Sequence, residues 1–561
     1  METKNVLFAI ILSTIVIFFF NSLQTPTTEQ QNLENEISKN QNSTSPSIDE
    51  DIKEIKKEVA RSSLINKTNR IKVENQNIKG SISLQGAIID DVVFKNYKEQ
   101  LDGEKKVSFL NPKNSSNEYF IETGWVAGNN DNIKLPLNST IWNVKGNNLL
   151  TPSSPIELEW NNKEGLIFSK KIELDNKFLF RITQSIKNNS NKSFQFHPYA
   201  QITRSGKPEG RQIYILHEGF LGVFGDELKE KDYSDIEDET FTISSTKGWL
   251  GITDKYWLTA IVPEKGKKFR SKFLSENEKY RANYIIIEPT ILNPNGSITN
   301  KVNAFAAAKE VAVIDNYAKK LGIEKFDLAI DWGWFYFFTK PLFFIIDYFF
   351  KLTGNFGLSI VIITALIRLL FFPLANYSFK SMAKMKLLQP EMVRLKELHK
   401  DDKVKLQQEM MTLYKREKVN PISGCLPVII QIPFFFAIYK MLYVTLEMRH
   451  QPFFGWIKDL SERDPTSIFN LFGLIPWDPP TALMIGAWPI LMGLSMFVQQ
   501  KLNPTPPDPL QAKIFMFFPI FLTIILAPFP SGLVVYWTVN NILTITQQWV
   551  IMRGTKVKTV R

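Results

Sequence analysis

A single charged residue interrupts an otherwise apolar run, and it constrains this chain more than any other feature. The run covers residues 357–374 and contains Arg368 as its only charge. A helix rises about 1.5 Å per residue, so a run of this length can cross a bilayer hydrocarbon core of about 30 Å. An arginine near the centre of such a helix costs about 2.5–3.5 kcal/mol. It therefore either faces a polar interior or extends its stem toward the headgroups, and position alone leaves both interpretations open.

Five other apolar stretches accompany this run and predict a multi-pass membrane protein. Lys and Arg residues concentrate in segments 375–420, 501–513 and 552–561, as is typical of the cytoplasmic side. The first stretch lacks a small-residue cleavage pattern, so we expect a retained anchor. We predict both termini in the cytoplasm, residues 447–480 as an outer loop, and six transmembrane helices at residues 1–23, 356–374, 422–446, 481–500, 514–529 and 531–551.

Residues 331–353 are also apolar, but we predict an interfacial helix that lies flat on the membrane. Lys340, Pro341 and Asp347 interrupt the segment, and it nearly adjoins the next run. If it crossed, the most basic segment of the chain would lie outside. Its many aromatic side chains suit headgroup depth.

The exported part of the chain is predicted to be an all-β domain on a tether. Residues 24–63 are too polar to bury a core and form a linker. Residues 64–325 show alternating apolar and polar positions, as in Phe178, Phe180 and Ile182, with a short helix expected at 311–321. The tryptophans of this domain can line a groove, but their spacing favours the core for Trp125, Trp160, Trp249 and Trp257.

The basic segment 375–420 is predicted to be a cytoplasmic helical hairpin. Apolar residues recur at helical spacing on either side of a polar break. Its surface suits a ribosome, an anionic lipid surface or a nascent chain; the alternative is a topology signal without a partner. The charged residues that define it include Lys384, Lys386, Arg394, Lys396, Asp401, Asp402, Lys415 and Arg416.

Several predicted spans carry polar side chains, which need partners in lipid. Thr364 lies one turn before Arg368, the third span contains Gln431, and the last contains Asn540, Asn541, Gln547 and Gln548. A shared wet groove, bordered by proline-kinked helices, accounts for all of them. The spans offer Arg368 no carboxylate partner, whereas a proton-coupled transporter is expected to carry acidic residues there.

Composition excludes several kinds of chemistry. One cysteine and four scattered histidines offer no disulfide and no metal-ligand spacing, and no phosphate-binding loop is present. The spans contain neither His nor Asp to activate a serine, which argues against an intramembrane hydrolase. The net charge of +11 lies largely beside apolar segments, which indicates membrane topology rather than specific nucleic-acid binding. We expect no enzyme activity, cofactor or metal.

Five ordered segments resemble the YidC membrane insertases of bacteria. They are SIVIITALIRLLFFPL (359–374), SMAKMKLLQPEM (381–392), QQEMMTLYKREKVNPISGCLPVIIQIPFFFAIYKML (407–442), FPSGLVVYW (529–537) and, in the exported domain, GWLGITDKYWLTAIVP (248–263). The resemblance implies an inner-membrane protein with a helical bundle, five of whose six spans form the core, and a periplasmic β-supersandwich. It also implies a hydrophilic groove, closed to the outside, that contains Arg368 with Thr364, Gln431, Tyr536 and Trp537. Trp537 departs from the family pattern, in which a second tyrosine is expected; an indole donates but cannot accept a hydrogen bond.

The expected function is insertion and folding of nascent membrane proteins without nucleotide hydrolysis. Arg368 would hold a polar flank of the substrate while an apolar surface guides its hydrophobic segment into lipid. That surface is predicted to consist of Ile432, Pro433, Phe434, Phe435, Phe517 and Phe521. The hairpin would recruit a ribosome or signal recognition machinery, and the resemblance leaves open whether the Sec translocon is a further partner. The alternative is a membrane transporter with an exported carbohydrate-binding domain.

Overall fold

The structure is a computed structural model that describes residues 61–128, 133–208, 216–333, 335–400, 402–420, 426–477, 479–480, 483–503 and 509–554. The predicted anchor at 1–23, nearly all of the predicted linker, Asp401 and most of the basic tail at 552–561 lie outside the described residues.

The part of the chain that is predicted to be exported folds into two large β-sheets, which confirms the predicted all-β sandwich. One sheet has 11 strands and the other has nine, and most neighbouring strands run antiparallel. In chain order the strands are β1 (Arg70–Glu74), β2 (Ile78–Ser83), β3 (Ile88–Lys98), β4 (Lys106–Leu110), β5 (Tyr119–Ala127), β6 (Asn143–Lys145), β7 (Leu149–Leu150), β8 (Ile156–Asn161), β9 (Leu166–Leu174), β10 (Leu179–Asn188), β11 (Phe194–Ser205), β12 (Gly219–Phe224), β13 (Glu227–Asp232), β14 (Phe241–Ser245), β15 (Gly248–Thr253), β16 (Trp257–Val262), β17 (Phe269–Glu276), β18 (Lys279–Ile286), β19 (Thr290–Leu292) and β20 (Ser297–Ala308).

The order of the strands places the longest ones at the centre of each sheet. The larger sheet runs β14-β17-β18-β11-β5-β3-β2-β1-β7, with β19 on β11 and β4 on β3. The smaller runs β13-β12-β15-β16-β20-β10-β9-β8-β6. Alternating apolar side chains from both sheets fill the space between them.

The predicted period-two pattern is confirmed in the core. Phe178, Phe180 and Ile182 are buried, and β10 pairs with β9 and β20 on either side. Trp125 and Trp249 are also buried, and Trp160 and Trp257 pack against the same core. These four tryptophans therefore stabilise the sandwich, as predicted.

Helices form most of the remainder of the described chain. They are α1 (Arg61–Lys67), α2 (Tyr233–Asp238), α3 (Val311–Leu321), α4 (Tyr336–Thr353), α5 (Phe356–Leu370), α6 (Phe372–Leu387), α7 (Gln389–Leu398), α8 (Lys403–Arg416), α9 (Leu426–Val444), α10 (Ala487–Leu502), α11 (Pro509–Leu526) and α12 (Ser531–Gly554). The helix predicted at 311–321 is α3. The last helix, α12, contacts α5, α6, α9 and α10 and so lies at the centre of the bundle.

The helix that carries Arg368 is shorter than predicted. The expected span at 356–374 ends as α5 at Leu370, and the chain bends by 68° into α6. Pro373, in the first turn of α6, explains the break, because proline has no N–H and disfavours helical geometry in the residue before it. No single described helix is both long and apolar enough to cross a membrane, but the bent pair α5 and α6 together reaches that length and composition.

The sandwich is fixed to the helical region by a buried junction after α9. Glu447 Oε1 accepts a hydrogen bond from the backbone N–H of Val311 at 2.7 Å, at the start of α3. Arg449 Nη2 donates to the carbonyls of Lys98 at 2.7 Å and Glu99 at 3.0 Å, at the end of β3. These contacts join the end of α9 to both a strand and a helix of the exported domain.

We predict that Glu447 makes this junction sensitive to pH. Burial, and then the nearby carboxylates, raise the pKa of Glu447 from 4.5 to about 7, and its second oxygen has no hydrogen-bond partner among the described residues. The folded state therefore favours the protonated form, so this stabilisation is complete below about pH 4.5 and is lost as the pH rises through about 7. The shift corresponds to a loss on the order of 3 kcal/mol.

The measurement is the melting temperature of the full chain in detergent as a function of pH. Glu447→Gln should flatten the profile across this window and be more stable than the unmodified chain at pH 8. Glu462→Gln, on an exposed side chain of the same loop, is the control and should leave the profile unchanged. Parallel profiles for the unmodified chain and Glu447→Gln would show that Glu447 is not responsible.

Candidate functional site

The Arg368 side chain points into the helical bundle and is held there by two amide oxygens. Its Nε and Nη2 donate to Oδ1 of Asn540 at 2.8 and 2.6 Å. Nη2 also donates to Oε1 of Gln431 at 3.0 Å. The structure thus favours the polar-interior interpretation of Arg368 over extension toward the headgroups.

Three helices bring these groups together. Arg368 lies in the last turn of α5, Gln431 is near the start of α9, and Asn540 is midway along α12. Asn540 follows Tyr536 by four residues, so both lie on the face of α12 that meets α5. Because both hydrogen-bond partners are neutral, the guanidinium keeps its charge, and no described carboxylate forms an ion pair with it.

A partly open pocket lies beside Arg368. Both polar and apolar side chains line it, namely Thr364, Ile367, Arg368, Phe371, Leu374, Ala375, Gln431, Phe434, Tyr536, Asn540 and Gln547. Four of the five predicted groove residues line it: Thr364, Arg368, Gln431 and Tyr536. The structure therefore brings together residues that are up to 172 positions apart in the chain.

Thr364 and Gln547 contribute to the wall in different ways. The Thr364 hydroxyl donates to the Ile360 carbonyl at 2.6 Å, within its own helix. Gln547 Nε2 donates to the Arg368 carbonyl at 3.2 Å, and its Oε1 is buried without a partner among the described residues. Gln547 thus presents a free acceptor next to the pocket.

The sequence predicts Asn540 and Gln547 among the polar residues of a shared groove, but it does not predict their contacts with Arg368. Their spacing contained the necessary signal, because Tyr536, Asn540 and Gln547 fall at i, i+4 and i+11 on one helical face. The apolar lining residues Phe371 and Leu374 carried no comparable signal.

Trp537, the fifth predicted groove residue, has different neighbours from Tyr536, and its placement near the groove stays a prediction. It does not line the pocket, and its ring instead packs edge-on against Phe435 with the ring centroids 4.8 Å apart. It also contacts an apolar cluster of Met492, Leu526 and Val534. Adjacent residues on a helix point about 100° apart, so Tyr536 and Trp537 cannot both face Arg368.

The residues of the predicted apolar surface lie on two helices. On α9, Ile432 is exposed and Pro433 lies within the helix. Phe434 lines the pocket, whereas Phe435 packs on Trp537. On α11, Phe517 and Phe521 are exposed, because that helix packs mainly against α10.

The basic residues of segment 375–420 are largely accessible. Helices α7 and α8 lie side by side, with the Tyr414 hydroxyl 3.9 Å from the Met392 sulfur. Asp402 caps α8 by accepting from the Lys405 N–H at 3.0 Å. Lys396 is half-buried, whereas the exposed basic side chains include Lys384, Lys386, Arg394, Lys415 and Arg416.

Chemically, this site presents one cation, several amide groups and an apolar wall. In the described parts of the chain, no group of three or more His, Cys, Asp or Glu side chains is arranged to hold a metal ion. The arrangement suits reversible binding of an anionic or polar group that is attached to an apolar segment.

Two family models together match most of the chain. The YidC periplasmic domain matches residues 70–345, and the 60Kd inner membrane protein family matches residues 348–559. The first match covers the sandwich and the second covers the bundle with its pocket.

Full-length relatives and one solved structure are also similar. The membrane protein insertase YidC of Pelagibacter ubique is 55% identical over the whole of both chains. That of Brucella melitensis is 48% identical over 89% of this chain and 83% of the relative. A crystal structure of an active YidC insertase with its first transmembrane domain resolved aligns with 85% of this chain and 91% of that chain, at 16% identity and a TM-score of 0.35.

The predicted resemblance is therefore confirmed. The chain belongs to the YidC family of membrane protein insertases, which are proteins of the inner membrane.

Proposed function

We propose that this chain inserts nascent membrane proteins by lowering the cost of moving a polar flank into the bilayer. The observation that supports this most directly is the Arg368 guanidinium, which neutral amides hold inside an apolar bundle. A positive charge that is not neutralised inside the bundle attracts an acidic group or the negative end of a polar group.

The energetics need no nucleotide hydrolysis. Each Leu, Ile, Phe or Val of a substrate segment gains about 0.3–0.6 kcal/mol on entering the bilayer, so the final state is downhill. The barrier is the transfer of the polar flank through hydrocarbon. A hydrated pocket that reaches part of the way shortens the low-dielectric path and lowers that barrier.

Arg368 would act as a transient counter-ion for that flank. At an effective dielectric constant near 20, two unit charges about 4 Å apart attract by about 4 kcal/mol before desolvation is subtracted. Asn540 and Gln431 orient the guanidinium but leave its charge available. Phe434 and the exposed aromatic residues of α9 and α11 would guide the apolar segment toward lipid.

The remaining parts of the proposal concern topology and partners. We place both termini in the cytoplasm with six membrane spans, and segment 375–420 as a basic cytoplasmic hairpin that meets a ribosome or the signal recognition machinery. The bilayer and nascent membrane proteins are the other partners, and cooperation with the Sec translocon is part of the same proposal. The family assignment does not favour the alternative of a transporter with a carbohydrate-binding domain.

One prediction of the proposed function concerns the charge of Arg368. Arg368→Ala should reduce insertion of substrates with an acidic translocated flank by roughly tenfold or more, because a hydrogen bond to a charged group is worth about 1.5–3 kcal/mol. Arg368→Lys keeps the charge and should retain most of the activity. The measurement is insertion into proteoliposomes, scored by protease protection of the flank, and full activity of Arg368→Ala on acidic substrates would refute the attraction model.

A further prediction separates the effect of charge from that of geometry through Asn540. Asn540→Asp keeps the shape and the acceptor oxygen but neutralises Arg368, so it should impair acidic-flank substrates about as strongly as Arg368→Ala does. A substrate with a neutral flank should be much less affected by either change.

Asn541→Asp is the matched control for this variant. Asn541 is the next residue of α12, is equally buried, and donates to the Ser495 hydroxyl at 2.9 Å on another face of the helix. An aspartate there adds the same charge at the same depth away from the Arg368 partners. The proposal fails if both aspartate variants change the preference for flank charge equally.

A further inference from the structure

The loop between α9 and α10 buries polar side chains and exposes apolar ones, which is the reverse of a typical loop in water. Its polar side chains are inside, with Asp464, Ser467 and Asn470 at 9% exposure or less. Its large apolar side chains are outside, with exposures from 38% to 84%, at Ile468, Phe469, Leu471, Phe472, Leu474, Ile475 and Trp477. We call residues 464–477 the inverted loop.

Internal hydrogen bonds give the inverted loop a defined shape. Asp464 accepts from Nε1 of Trp456 at 3.1 Å and from the backbone N–H of Trp488 at 2.9 Å. Asn470 Nδ2 donates to the Trp477 carbonyl at 3.3 Å. Outward exposure of the apolar side chains is therefore a property of the folded loop.

The backbone of the inverted loop is also largely satisfied from within. The N–H of Ile468 donates to the Ile485 carbonyl at 3.1 Å, that of Phe472 to Ser467 at 2.7 Å, and that of Ile475 to Asn470 at 3.0 Å. A segment enters an apolar medium only when its backbone groups have such partners. Several backbone N–H groups of the inverted loop have such partners although it is not a regular helix.

Two large residues at its tip adopt a backbone conformation that normally belongs to glycine or asparagine. Leu471 and Phe472 have φ values of 49° and 58°, in the left-handed region. Their side chains are 54% and 51% exposed, so about half of each large apolar surface has no packing partner among the described residues.

We propose that the inverted loop is immersed in the bilayer, with phospholipid acyl chains near the headgroup boundary as its partner. Helix α10 follows it and has only 16 residues, which gives about 24 Å against a hydrocarbon core of about 30 Å. In the described part of the predicted span at 481–500, the α-helix begins at Ala487. The apolar side chains of the inverted loop would contact the part of the hydrocarbon core that α10 is too short to reach.

The apolar surface of the inverted loop continues onto α10. Leu491, Leu494 and Val498 are exposed on one face of that helix, at helical spacing. This favours lipid as the partner, because acyl chains would cover the exposed face of α10 and the inverted loop alike. A second copy or a different protein would have to match a helix face and a loop together.

The distribution of charge favours the same partner. No charged residue occurs from position 466 to 477, whereas the exposed Lys458 and Glu462 flank the base of the loop. Trp456 and Trp477 are half-exposed, and tryptophan is enriched where hydrocarbon meets headgroups. Charged residues and tryptophans thus lie toward the two ends of the loop, and its exposed large side chains between them are apolar.

Immersion of the inverted loop would also fix the depth of α10 and α12 in the membrane. Asp464 binds the first turn of α10, and the Glu462 carbonyl accepts from the N–H of Ser531 at 2.7 Å, at the start of α12. Since α12 carries Asn540, a loop held at the membrane surface would set how deep the Arg368 pocket lies.

The test uses the full chain in phosphatidylcholine and phosphatidylglycerol vesicles, with spin labels at single cysteines. Cys425→Ser removes the native thiol, and labels are attached at Phe472→Cys and Leu474→Cys, with Lys458→Cys as the reference. We expect labels at 472 and 474 to collide preferentially with lipid-soluble oxygen and the label at 458 with a water-soluble nickel chelate. Greater access of the chelate at 472, or shielding from both reagents by a second copy or another protein, would overturn the proposal.

A second variant separates loss of membrane contact from loss of folding. Leu471→Asn with Phe472→Asn suits the left-handed backbone better but removes the apolar contact. The label at 474 should then shift its oxygen-to-chelate collision ratio toward water by roughly tenfold or more, because burial of each large apolar side chain is worth at least that factor. An unchanged melting temperature in detergent would show that the fold is intact, and an unchanged ratio would contradict lipid contact.

Discussion

The bundle depends on a cation that is held in place without being neutralised. Arg368 on α5 reaches Asn540 on α12 and Gln431 on α9, so one side chain ties three helices together. A carboxylate in place of either amide would cancel the charge. Amides satisfy the directional hydrogen bonds of the guanidinium and leave its electrostatic field for another molecule. This choice of partner connects the packing of the bundle with the proposed handling of polar flanks.

The exported sandwich is mechanically linked to the same site. Glu447 and Arg449 follow α9 and bind α3 and β3, and Lys440 of α9 donates to Asp331 at 2.6 Å. Gln431, on the same helix, is a partner of Arg368. Because α9 is fixed at its sandwich end, the sandwich provides a rigid reference for one wall of the pocket. The large apolar core between its sheets supplies that rigidity.

Much of the fold was predictable, because periodicity reports which face of an element is buried. The alternation at Phe178, Phe180 and Ile182 identified a central strand, and the helix at 311–321 was found with its bounds. The groove residues Thr364, Gln431 and Tyr536 followed from polar residues in apolar runs and from the family resemblance. Periodicity does not report which neighbour a face meets, so the direct pairing of Asn540 with Arg368 was missed. The rotation of α12, which turns Trp537 away, is likewise set by packing between helices.

Hydropathy also predicted the bounds of helices wrongly where the backbone departs from regular helical geometry. The break after Leu370 and the late start of α10 lie within apolar sequence, and an apolar run predicts burial in lipid without predicting a helix. The inverted loop is an example. Its apolar sequence resembles part of a transmembrane span, but hydrogen bonds of its buried polar side chains hold it in a compact turn that is not a regular helix. Short helices and a polar pocket act on the same quantity, the length of hydrocarbon that a polar flank must cross. Because the cost of a charge in the membrane falls as water and headgroups come nearer, short helices and a polar pocket would both lower that cost in the proposed function.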